Sequence, residues 1–333
     1  MVFIITLIVS FGFSLAVTSI LVPLFSLIAF KYNIIDQPDG IVKIHKKPTP
    51  YLGGLAVYIG FLTTIALIFP LNGPFFLILV GSTLLLFIGL IDDLIVLKPG
   101  QKFLAQMLVV FCFIKSGLYV KTHFFTSFLN IFISTLWCLT VINAFNLVDV
   151  MDGLAAIIAA GITMSMMIIA LYYGHIQLAL WLLIFLGAII AFLRFNYPPA
   201  TIYLGDSGSL FLGGFLAPIP FLFNWGTYNQ YGYLTPVIIY AVPLIEVVTL
   251  VVVRSYKKIP FYKPSPDHFC LYLKKNGWAL RTILGYIVIL SAIQLGIAFL
   301  FLNNYISLAM FFGIAGASVS LWYAVLIKIR FSH

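Results

Sequence analysis

Charge is what this 333-residue chain has least of: 8% of its residues are Asp, Glu, Lys or Arg. A soluble domain carries roughly 25%. So few charges cannot cover a chain of this length in water, which excludes an ordinary soluble domain and a disordered chain. Cysteine is scarce as well. Cys112, Cys138 and Cys270 have no metal-ligand spacing, and two of them sit inside apolar runs. That excludes a disulfide scaffold and a cysteine metal centre. Polar linkers and usable internal repeats are also missing, so we expect a single domain over 1–333.

What fills the chain is apolar residues, 63% of the total, in long continuous runs without period-two alternation. In lipid the backbone must pair internally, and such runs select helices over a barrel. A span takes about 20 residues. Eleven runs qualify: 3–30, 51–70, 75–91, 103–121, 125–146, 153–173, 176–194, 208–224, 233–253, 281–302 and 305–327. The first lacks a basic leader and a cleavage site, so it reads as an uncleaved span. The expectation is an all-α, polytopic integral membrane protein with about 10–11 transmembrane helices.

Eleven spans put the termini on opposite sides. Alternation then gathers the five longer connections (31–50, 92–102, 147–152, 195–207, 254–280) and the C-terminal tail on one side. All eighteen Lys and Arg except Lys115 and Lys121 fall there. The positive-inside rule makes that side cytoplasmic, with the N-terminus outside. The basic excess is accounted for by this inner face and calls for no nucleic-acid partner.

The nine carboxylates are distributed more sharply still. Asp36, Asp39, Asp92, Asp93, Asp149, Asp152, Asp206 and Asp267 lie in or beside cytoplasmic connections; Glu246 lies within a span; none is outside. A chain so poor in charge that collects its carboxylates on one face is building a site there.

Four segments carry that site. Asp92-Asp93 ends a span and is followed by Lys98 and Lys102. Adjacent carboxylates can hold Mg²⁺ together with substrate phosphates, one can accept a proton, and the lysines can hold phosphate oxygens. Asn143, Asn146, Asp149 and Asp152 recur every third residue, which on a helix is one polar face leading out of the membrane. Gly205-Asp206-Ser207-Gly208-Ser209 opens a helix, whose N-terminus favours anions. Asp206 would repel a bare phosphate there, so a cation between them is expected. The segment from Asp36 to Gly54 joins Lys43, His45, Lys46 and Lys47 to a proline-stiffened approach to a span. His268, beside Asp267 in the longest inner connection, is a weaker candidate.

Together, and in this order, the segments resemble the polyprenyl-phosphate N-acetylhexosamine-1-phosphate transferases, glycosyltransferase family 4. The first connection, Asp36-Gln-Pro-Asp39-Gly40 to Gly53-Gly54, is most similar to the undecaprenyl-phosphate N-acetylglucosamine-1-phosphate branch. The resemblance implies transfer of a sugar 1-phosphate from a UDP-N-acetylhexosamine to undecaprenyl phosphate, at the cytoplasmic face of a bacterial inner membrane. It implies catalytic roles for Asp92, Asp93, Asp149 and Asp152, and Asp206 as the ligand of a catalytic Mg²⁺, with Mn²⁺ the alternative. It implies substrate contacts for Lys46, Lys102, Asn143, Asn146, Asn196 and His268. A homodimer is left open. Val150 and the single His268 stand where the family usually has a glycine and a histidine cluster.

Three rivals remain. A phospho-N-acetylmuramoyl-pentapeptide transferase shares the family. A CDP-alcohol phosphatidyltransferase would share Asp149-x-x-Asp152-Gly153 but needs Ala-Arg where Leu154-Ala155-Ala156 stands. A transporter would place carboxylates near the midplane, where only Glu246, close to Pro243, fits.

Overall fold

A computed structural model of the chain describes residues 2–36, 48–70, 72–258, 260 and 266–330. Helix α1 (Val2–Lys31) leads to a short antiparallel pair, β1 (Ile35–Asp36) with β2 (Thr49–Pro50). Then come α2 (Gly53–Ile68), α3 (Gly73–Ile95), α4 (Pro99–Lys115) and α5 (Ser127–Val148). They are followed by α6 (Leu154–Tyr172), α7 (Ile176–Asn196), α8 (Gly205–Leu216) and a run of short 3₁₀ turns. The last five are α9 (Thr235–Ile239), α10 (Ala241–Tyr256), α11 (Phe269–Lys275), α12 (Leu280–Leu302) and α13 (Leu308–Arg330).

The starts of these helices follow from their residues. Pro74 and Pro99 stand in the first turns of α3 and α4, where an amide hydrogen is not needed. Thr126 Oγ1 accepts the amide of Leu129 at 3.3 Å and so caps α5.

Each of the eleven expected runs coincides with helix, in the expected order, and the all-α polytopic architecture holds. The runs are not eleven equal spans, however. Six described helices are long and apolar enough to cross a membrane: Ile5–Lys31, α3, α5, α6, α7 and α12. A seventh is reached if α9 and α10 form one span bent by 72°. The expected run 208–224 is interrupted at Pro218 and Pro220, so α8 has 12 residues. That is about 18 Å of helix against a hydrocarbon core of about 30 Å. Conversely, α3 continues past the expected boundary, and Asp92 and Asp93 lie in its last turn.

Short as it is, α8 sits at the centre of the bundle. Its side chains from Ser207 to Leu216 are all buried, with α2, α3 and α5 packed around it. On one side Phe61 meets Phe185 and Phe215 edge-on, with ring centres 5.3 and 5.0 Å apart. Elsewhere α1 packs on α2 and α7, and α6 packs on α7 and α12.

The crossing of α3 and α8 depends on Gly89. A Cβ there would lie 2.3 Å from the carbonyl oxygen of Asp206, so a larger residue would force the helices apart. The start of α2 is tied to the same place: Gly53 and Gly54 donate their amides to the carbonyls of Tyr203 and Leu204 at 3.0 and 2.9 Å. The end of α3, the start of α2 and the start of α8 are thereby held together.

Candidate active site

The acidic motifs meet at the junction just described. Lys102, in the first turn of α4, reaches across to α3, α5 and α8. Its Nζ donates to Asp92 Oδ2 at 2.8 Å, to Asp206 Oδ2 at 2.7 Å and to Asn146 Oδ1 at 3.2 Å. Asn146 in turn donates Nδ2–H to Asp206 Oδ1 at 2.7 Å and to Ser209 Oγ at 3.0 Å. Four helices, α3, α4, α5 and α8, thus share one polar cluster.

The two adjacent aspartates are used differently. Asp92 Oδ1 accepts the amide of Leu97 at 2.6 Å, which closes the turn after α3, and its Oδ2 faces Lys102. Asp93 points toward α8. Its Oδ1 accepts the amide of Asp206 at 2.8 Å and its Oδ2 the amide of Ser207 at 3.0 Å. Leu204 offers α8 no side-chain cap of its own. Asp93 supplies the missing cap from a different helix, placing both carboxyl oxygens on the amides at the positive end of α8. Gly205, at φ +76°, makes this approach possible; a Cβ there would lie 2.9 Å from Asp93 Oδ2 and 2.6 Å from the Tyr51 carbonyl.

The expected polar stripe is only half helical. Asn143 and Asn146 lie on α5, but the helix ends at Val148. Asp149 is its cap, and the chain turns through Met151 and Asp152 to Gly153 at φ +76° before α6. Asp149 and Asp152 therefore stand outside the helix that carries the two asparagines. Asp149 remains within the field of the cluster: burial first, then the charges of Asp206, Asp93 and Asp152, push its carboxyl up to about 8. Burial likewise raises Asp206, reinforced by Asp92 and opposed by Lys102.

Other candidates hold the loops around the cluster. Asp152 Oδ2 accepts the amide of Ala200 at 3.0 Å. Buried Asn196 accepts the Gly153 amide at 2.9 Å and donates to the Ile202 carbonyl at 2.9 Å, strapping the α5–α6 turn to the segment before α8. Asn143 turns away toward α4, donating to Gln106 Oε1 at 2.8 Å and to Leu139 O at 2.8 Å. His268 is buried at the start of α11 with Nδ1 3.0 Å from Glu246 Oε1, a contact separate from the Asp92–Asp206 cluster. Lys46 lies outside the described residues.

Gln106 was not singled out in the sequence, and Ser209 and Ala200 stood in their segments without a role of their own. Gln106 carried the clearest signal. It stands four residues after Lys102, on the same face of α4, in an otherwise apolar stretch.

Among the described residues no three His, Cys, Asp or Glu side chains converge as a complete metal cage. The cluster nevertheless suits a hard cation. Its oxygens already hold one, the Lys102 ammonium, between two carboxylates and an amide oxygen. Mg²⁺ is commonly bound by one or two carboxylates, with water and substrate phosphates completing its shell.

Residues 75–224, which include the Asp92, Asn146 and Asp206 motifs, match the family model described as "Glycosyl transferase family 4". A Bacillus subtilis protein named "Probable undecaprenyl-phosphate N-acetylglucosaminyl 1-phosphate transferase" is 29% identical, over 91% of this chain and 88% of its own. A Thermotoga maritima protein named undecaprenyl-phosphate alpha-N-acetylglucosaminyl 1-phosphate transferase is 30% identical, over 85% and 88%. A Staphylococcus epidermidis phospho-N-acetylmuramoyl-pentapeptide-transferase is 31% identical, over 80% and 89%. With relatives at this level over most of its length, the chain belongs to glycosyl transferase family 4, the polyprenyl-phosphate N-acetylhexosamine-1-phosphate transferases.

Proposed function

We propose that the chain transfers N-acetylglucosamine 1-phosphate from UDP-N-acetylglucosamine to undecaprenyl phosphate, releasing UMP. The product, a lipid diphosphate sugar, would start a cell-envelope glycan. The observation that carries this reading is the Asp92–Lys102–Asp206 cluster, with Lys102 Nζ 2.8 and 2.7 Å from the two carboxylates. It combines a phosphate-binding ammonium and a carboxylate cation site at the end of membrane-spanning helices. A lipid phosphate reaches such a position from between the helices, and a nucleotide reaches it from the aqueous side.

In this reading Asp206 and Asp92, with Asn146 Oδ1, would hold Mg²⁺ or Mn²⁺. Mg²⁺ bound there supplies charge neutralisation on the diphosphate and polarises the β-phosphorus. The protein's own groups position the reactants. Lys102 neutralises phosphate oxygens. Asp93 fixes the start of α8, and with it Asp206. Asn196 and Asp152 hold the two loops that flank the nucleotide. A lipid phosphate oxygen then attacks the β-phosphorus in line, the bond to the α-phosphate oxygen breaks, and UMP leaves.

The excess of Lys and Arg in the longer connections supports a site facing the cytoplasm of a bacterial inner membrane. A second reading, transfer of phospho-N-acetylmuramoyl-pentapeptide, is favoured by the relatives that carry that name. The first connection, Asp36 to Gly54, supports the N-acetylglucosamine donor instead. The experiment that separates them offers purified protein a panel of UDP-sugars, including UDP-N-acetylmuramoyl-pentapeptide, with undecaprenyl phosphate and Mg²⁺. Lipid product from UDP-N-acetylglucosamine is expected. Product from the muramoyl nucleotide alone contradicts the donor assignment.

A further inference from the structure

Lys102 holds the position at which a cation would neutralise Asp92 and Asp206. All three ammonium hydrogens have an oxygen partner: Asp206 Oδ2 at 2.7 Å, Asp92 Oδ2 at 2.8 Å and Asn146 Oδ1 at 3.2 Å. These are the oxygens to which the divalent cation of the reading above is assigned, and the inference rests on that reading. An ammonium at hydrogen-bond distance from both carboxylates and a divalent ion at coordination distance from the same atoms would lie within a few ångströms of each other. Like charges that close, in a site walled by apolar helices, cannot share the cradle.

We propose that Lys102 and the divalent cation compete for one carboxylate cradle, with the lysine as the built-in counter-ion that the metal displaces. The charges of Asp92 and Asp206, which meet on the same ammonium, would otherwise repel one another. In the metal-free protein Lys102 screens them and ties α4 to α3 and α8. When a divalent ion takes over that screening, the ammonium is released. Asp206 is the most open of the three groups, with side-chain exposures of 15% for Lys102, 10% for Asp92 and 36% for Asp206. The freed charge is then available to a phosphate oxygen. Metal loading and readiness to hold phosphate are in this way one event: the lysine cannot grip substrate until the metal has relieved it.

The test uses full-length protein in detergent and reads metal binding rather than turnover. Free Mn²⁺ is measured by electron paramagnetic resonance for the wild type, Lys102→Met and Asp206→Asn. Removing a competitor that touches two of the ligands should tighten Mn²⁺ binding by about 10-fold or more in Lys102→Met, while Asp206→Asn loses the site. A second measurement needs no variant. Amine acylation of wild-type Lys102, followed by mass spectrometry, should rise when Mn²⁺ is added. Unchanged or weaker Mn²⁺ affinity in Lys102→Met, or acylation indifferent to Mn²⁺, overturns the competition and leaves the metal reading standing. No Mn²⁺ binding to either protein overturns both.

Discussion

Asp93 on α3 receives the backbone amide of Asp206 on α8 at 2.8 Å, so one aspartate of the cluster sets the position of another through the main chain. With the neighbouring Ser207 amide at 3.0 Å, this is the N-terminal cap of a helix that has none of its own. Removing the carboxylate in Asp93→Ala leaves two amides of a buried helix end unpaired. We expect a loss of about 2–4 kcal/mol, since a buried amide left without its acceptor costs roughly 1–3 kcal/mol. Thermal melting in detergent checks the size. A melting temperature equal to wild type would show that α8 does not depend on Asp93.

Asn143 and Gln106 make a second testable pair. Gln106 is fully buried, its Oε1 accepts from Asn143 at 2.8 Å, and its Nε2 has no partner among the described residues. Asn143→Ala should therefore destabilise by about 1–3 kcal/mol, because it orphans the remaining polar group of Gln106. Adding Gln106→Leu removes that orphan and should restore part of the loss. Simple additivity of the two changes in melting temperature would contradict the coupling.

Asn196 should behave as a strap rather than as a charge. Asn196→Ala breaks the bonds to the Gly153 amide and the Ile202 carbonyl, both 2.9 Å and buried. A cost of about 1–3 kcal/mol is expected, together with a raised KM for the nucleotide as the two loops separate. Unchanged melting and unchanged KM would refute this role.

Asp149 gives the metal-free protein a pH dependence with a definite sign. Its carboxyl is pushed up to about 8 from 3.8, chiefly by burial and then by Asp206, Asp93 and Asp152. Below 3.8 the folded and unfolded chains both hold the proton, and there is no penalty. As pH rises, the unfolded chain releases its proton first, while the folded chain keeps it until about 8. Between those values the folded state binds more protons, so stability falls with rising pH and levels off above the window. Melting curves in chelator from acid to mildly alkaline pH should slope downward, and Asp149→Asn should flatten part of that slope. A slope identical in the variant excludes Asp149 as its source.

The sequence carried much of this arrangement in its spacing. The apolar runs gave the helices and their order, because a membrane leaves the backbone little alternative. The Asp92, Asn146 and Asp206 motifs were legible because polar residues are costly at the ends of apolar helices and stand out against them. The division of labour between Asp92 and Asp93 was not legible. It depends on how closely α3 crosses α8, which is set by a glycine, Gly89, that looks unremarkable in sequence. The turn of Asn143 toward Gln106 depends on the register between α4 and α5. The end of α5 at Val148 likewise breaks an even three-residue spacing that reads as a single helical face.

The measurement that tests the account most directly is UMP release by purified protein given UDP-N-acetylglucosamine, undecaprenyl phosphate and Mg²⁺, beside an Asp206→Asn variant of matched melting behaviour. Release should require both the lipid and the metal, and should fall by roughly 1,000-fold or more in the variant, the scale on which electrostatic stabilisation of a transition state is lost. Release without lipid, or near-wild-type turnover by Asp206→Asn, would contradict the account.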